Sequence, residues 1–231
     1  MLIEYKMPKG FYKLREPIMN VIRKTLLTTG TRPAIVGCYV GHPNLTSVNH
    51  LGVIEGSTVT PMDIAIKISS YHLYVRPSAV SYSGSNITSI DTSMQYIDDD
   101  NIIVDYSKSF DNIKRLTVGD LGSDIFLMED GSKDLTNEVI AEFPSPVSFT
   151  LHLAITIIDG DKSNKETEAI LPESFFPLPA NLMNSKIFFD IPEDEPDTLR
   201  VKFYMPDFMS DMITDNLCNK LSDIFQTPHI E

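Results

Sequence analysis

Apolar positions recur along this chain with two periods, and each period predicts a kind of element. Leu14, Ile18, Val21, Ile22 and Leu26 fall at helical spacing and make one apolar stripe. Pro17 suits a first turn, where a missing N–H goes unused, and Gly30 suits a C-terminal stop. A helix is therefore predicted over 15–28. Arg32-Pro33 imposes extended backbone, and the apolar run after it predicts a buried strand over 33–40. Gly41, Pro43, Asn44, Asn49, Gly52, Gly56 and Pro61 punctuate a loop over 41–61. Met62, Ile64, Ile66 and Ile68 then alternate with Asp63, Ala65, Lys67 and Ser69, the period of a half-buried strand. Tyr71, Leu73 and Val75 continue one position out of phase, so a β-bulge is expected near Ser69-Ser70.

The stretch 78–101 is rich in Ser, Thr, Asn and Asp and poor in large apolar residues. It reads as a polar excursion, mobile alone and ordered against a neighbouring subunit. Short strands are expected at 102–106 and 125–128, and a turn or more of amphipathic helix from Asp134 to Phe143. The clearest alternation is 147–158. Val147, Phe149, Leu151, Leu153, Ile155 and Ile157 point one way; Ser148, Thr150, His152, Ala154 and Thr156 point the other. Ser163 and Glu166 form a capping box, which predicts a short helix over 164–171. Strands near 186–191 and 199–205 flank the acidic turn 192–197. A last helix from Asp207 to Phe225 carries a stripe of Phe208, Met212, Leu217, Leu221, Ile224 and Phe225. No repeat and no clean linker divides the chain. The fold class expected is α+β, one domain over 1–231, with a mixed, mostly antiparallel sheet and N- and C-terminal helices.

Charge narrows the function. Lysine and arginine total 19 against 32 acidic residues, a net charge of −13, which argues against holding nucleic acid by bulk charge. The first 32 residues are locally basic, with Arg23 and Lys24 placed to favour the end of the first helix. No apolar run approaches the roughly 18 residues that span a bilayer. The start has no basic segment leading into an apolar one, so no signal peptide is expected. Cys38 and Cys218 are too few for a disulfide framework and read as free thiols of a reducing compartment, although spacing alone leaves their pairing open.

Candidate chemistry is sparse. The phosphate-binding glycine patterns are absent, as are GxSxG and HExxH. Cys38, His42 and His50 supply three potential zinc ligands, but no fourth stands at ligand spacing. Cys38 with His42 also makes a conceivable nucleophile and base, set against Cys38 lying in an apolar run where cysteine packs as a small hydrophobe. His72 and His152 sit on the polar faces of two strands and share a site only if those strands are neighbours. Asp159-Gly160-Asp161 begins like a calcium loop, but Asn164 and Ile170 occupy the positions that need glycine and glutamate. Asp98-Asp99-Asp100 reads as a solvated run. No cofactor and no catalytic residue is expected.

Leu171, Phe175, Phe176 and Leu178 stand among prolines that discourage regular burial, so Phe175, Phe176 and Leu178 are expected at an interface with another subunit. The acidic, tryptophan-free chain, with long strands and polar arms, resembles virion structural proteins of large tailed bacteriophages. A narrower resemblance is to tail terminator and neck proteins of contractile-tailed phages. It rests on the helix at 15–28, the strand at 33–40, Pro144-Ser145-Pro146 leading into 147–158, and 164–171 ending in Ile170-Leu171-Pro172. The resemblance implies a non-enzymatic structural component of the virion, in tail, neck or baseplate. It also implies partners in a homo-oligomer and in other virion proteins, with no membrane and no sequence-specific nucleic acid. The alternatives are an enzyme of unknown chemistry and an acidic inhibitor that mimics nucleic acid.

Overall fold

The most strongly alternating segment of the chain becomes the middle of its largest sheet. The computed structural model describes residues 2–6, 15–28, 32–41, 50–71, 73–123, 125–127, 136–158, 170–178, 188–190, 198–202, 215 and 217–219. In chain order the elements are β1 (Leu2–Lys6), α1 (Arg15–Thr28), β2 (Arg32–Gly41), α2 (Pro61–Ser70), β3 (Tyr74–Val75), β4 (Val80–Ser83) and β5 (Asn86–Ile90). There follow β6 (Met94–Tyr96), β7 (Ile103–Thr117), β8 (Phe126–Leu127), β9 (Val139–Ile158), β10 (Phe176–Pro177), β11 (Phe188–Asp190) and β12 (Thr198–Lys202). The fold is mixed α and β with few helices, and every strand pairing among the described residues is antiparallel.

The chain divides into two compact units. One joins the two ends, Met1–Gly30 with Leu182–Glu231; the other is the continuous stretch Thr31–Asn181. A unit made of both termini leaves no single linker for composition to reveal.

In the unit of the two ends, β12 lies between β1 and β11. The helix predicted over 15–28 is α1, and Ile18 and Ile22 from its stripe are buried, as are Leu199 and Val201 of β12. Arg23 lies over the Phe189 ring, and Arg200 Nε donates to Glu4 at 2.7 Å. Of the last predicted helix, 215 and 217–219 are helical and Leu217 is buried; the rest of its stripe lies outside the described residues. The expected helix at 164–171 also lies outside them, apart from Ile170 and Leu171.

In the continuous unit a five-stranded sheet runs in the order β10-β2-β9-β7-β6. The strand expected at 147–158 forms and begins earlier, at Val139. This overturns the helical turn expected there for 139–143. Ladder pairing with β7, Leu116 to Ala141 and Arg115 to Glu142, extends the strand across Pro144 and Pro146, where the register shifts. The first part of Asp134–Phe143 lies outside the described residues.

The strand expected from Met62 is overturned too: 61–70 is helix α2. Local chemistry explains the difference. The Thr60 hydroxyl accepts from Asp63 N–H at 3.1 Å, the Asp63 carboxylate accepts from Thr60 N–H at 2.9 Å, and Pro61 takes the first turn. Pro61, Ile64, Ala65 and Ile68 are buried at helical spacing, while Ile66 is 54% exposed. The alternation was coincidental, and the bulge expected near Ser69-Ser70 does not exist.

The polar stretch 78–101 carries the β4–β5 hairpin and the edge strand β6. Ala79, Val80, Ile87 and Met94 anchor it in the core. Within the Asp98–Asp100 run, the Asp98 carboxylate accepts from Ile102 and Ile103 N–H at 2.8 and 3.1 Å, closing the turn into β7. A stretch poor in large apolar residues thus still joins the core through these four side chains. The prolines around Phe175, Phe176 and Leu178 do not prevent regular burial, which was the ground for expecting these residues at an interface. Phe176-Pro177 pairs with Gly37-Cys38 as β10, and Leu178 N–H donates to Val36 O at 2.8 Å. Phe175 and Leu178 are 8% and 6% exposed, and half-buried Phe176 packs against the core. Proline is tolerated because β10 is an edge.

Candidate functional site

The two faces of the five-stranded sheet differ in chemistry. Alternation sends Cys38, Val40, Leu151, Leu153, Val104, Tyr106 and Phe110 into the apolar core. The intervening residues of β2, β9 and β7 meet on the other face. There Tyr39 stands opposite His152 and His152 opposite Ser107, with Asp105 one step along beside Ala154. Further along, the Ser109 and Thr150 hydroxyls lie 3.0 Å apart, and Ser148 Oγ donates to Asp111 at 2.6 Å. Asn112, at φ 54°, donates its N–H to the same Ser148 oxygen. The result is a polar seam along the sheet centre. It ends where Ala154 and Thr156 are buried and Thr156 Oγ1 donates to Ile102 O at 2.7 Å.

His152 is the best-built member of this seam. Its Nδ1 lies 2.6 Å from Asp105 Oδ2, with the two side chains 23% and 21% exposed. A carboxylate is an acceptor, so the Nδ1 proton is donated to Asp105, which fixes the ring with Nε2 turned away from that carboxylate. Asp105 Oδ1 is buried with no hydrogen-bond partner among the described residues. The Tyr39 ring stacks on the imidazole at 5.1 Å and 29°, and Phe175 meets Tyr39 edge-on at 5.9 Å. Nε2 points at Gly41: a Cβ placed there would lie 3.4 Å from Nε2, 3.6 Å from the Thr150 carbonyl oxygen and 3.6 Å from Tyr39 Oη. Ser107, though opposite His152, lies on the β7 side of the ring, away from Nε2.

The other candidates divide between those the fold places and those that lie partly outside the described residues. Cys38 faces the core, where burial pushes its thiol up to about 12, so it packs rather than attacks. His42, its supposed base, and His72, the supposed partner of His152, lie outside the described residues. His50 is half-buried and edge-on to Phe176 at 5.6 Å, and partial burial holds its imidazole below the ordinary histidine range. Among the described residues no three His, Cys, Asp or Glu side chains are grouped to hold a metal ion. None of their helices is long and apolar enough to cross a membrane.

Alternation pointed to His152, but Asp105 and Tyr39 went unrecognised. Tyr39 sat inside an apolar run, and its phase against the flanking Cys38 and Val40 was the signal that separates it. Asp105 sat in what read as a five-residue strand, and nothing in composition says that β7 runs beside β9. No protein-family model matches the chain, and no curated protein matches it significantly.

Proposed function

We propose that this chain is a structural subunit of a tailed-bacteriophage particle, at tail, neck or baseplate, working through contacts with copies of itself and with other virion proteins. The observation that carries the reading is the pairing of β2 with β9, from Arg32 opposite Ile158 to Gly41 opposite Thr150. The strand and the long strand on which the resemblance to tail terminator and neck proteins rests are thus adjacent at the sheet centre. They follow α1 in the expected chain order. Subunit contact has apolar surface to use. Leu51, Val53 and Ile66 are large and more than half exposed, and Met62 N–H donates to His50 O, which ties the loop bearing Leu51 to the turn before Ile66. Among the described residues these are more exposed than Phe175 and Leu178, and Ile170 is 43% exposed as well. The acidic surface suits a conduit that DNA must traverse without sticking. Mass spectrometry of gradient-purified particles from the native host tests the reading. It predicts this chain at a fixed copy number relative to the other virion proteins. Its absence from particles, with the protein abundant in the infected cell, would overturn it.

The Asp105–His152 pair supports a second reading, an enzyme using His152 Nε2 as general base with Asp105 orienting the ring. That reading predicts an activity lost in His152→Ala and depressed in Asp105→Asn.

A further inference from the structure

We draw no further inference here: the strongest candidate, the side-chain cluster of Tyr39, His152 and Asp105 in the polar seam of the five-stranded sheet, belongs to the site already described.

Discussion

A thiol held away from water keeps its proton, and Cys38 is such a thiol, pushed up from 9.0 to about 12 by burial. Cys218 is exposed. A thiol reagent should therefore modify Cys218 quickly and Cys38 only on unfolding; comparable native rates at both would contradict the burial of β2. The same shift has a pH signature. Above 9.0 the unfolded chain loses the Cys38 proton first, so this residue's contribution to stability declines as pH rises from 9.0 toward 12. Cys38→Ala should flatten the alkaline limb. Backbone strain gives a second test at this scale. Gly122 has φ +122°, and a Cβ there would lie 2.7 Å from Tyr106 Oη, which donates to Leu121 O at 2.6 Å. Gly122→Ala should destabilise by about 2 kcal/mol or more in denaturant unfolding. Gly84 also has positive φ but meets nothing within 4 Å, so Gly84→Ala should cost only about 1 kcal/mol.

Helix α2 shows at the scale of elements how much of the fold was legible. Met62, Ile64, Ile66 and Ile68 alternate as a strand would, yet Thr60, Pro61 and Asp63 spell a helix start in the same residues. The hydrogen-bonded cap and a buried helical stripe prevailed over a two-residue period only four apolar positions long. The two readings assign Ile66 differently, which makes the test sharp. A strand puts Ile64 and Ile66 on one face; the helix buries Ile64 at 0% and exposes Ile66 at 54%. Ile64→Ala should cost about 2–5 kcal/mol and Ile66→Ala less than about 0.5 kcal/mol. Similar losses from both would restore the strand. The cap has its own signature. Hydrogen bonds from the Thr60 side chain, then its backbone, hold the Asp63 carboxyl below its ordinary 3.8. Its contribution is complete above that value and is lost as pH falls through the lower, folded one. Thr60→Ala should cost about 1 kcal/mol at neutral pH and less in acid, measured by thermal midpoint. By contrast α1, β2 and β9 were readable, because a stripe with a proline start, an Arg-Pro entry and a long uninterrupted alternation each leave one interpretation. For 139–143 and 176–177 the deciding partner, β7 or β2, is remote in sequence, and local pattern carries no word of it.

At the scale of the whole molecule, two units are built from one chain, and the one that closes on both termini is invisible to any search for linkers. The candidate site was half legible for the same reason. His152 announced itself on a polar strand face, while Asp105 and Tyr39 arrive from strands whose neighbourhood only the folded sheet decides. The proposed subunit role draws on exposed apolar side chains among the described residues, Leu51, Val53 and Ile66, and on a net charge of −13. The central claim is that this chain works in an assembly. Sedimentation velocity on the purified protein over a wide concentration range measures that most directly. The account predicts a discrete oligomer, of one stoichiometry, that persists on dilution and weakens when Leu51 and Val53 are both changed to serine. A single species at 25.9 kDa at every concentration would contradict it.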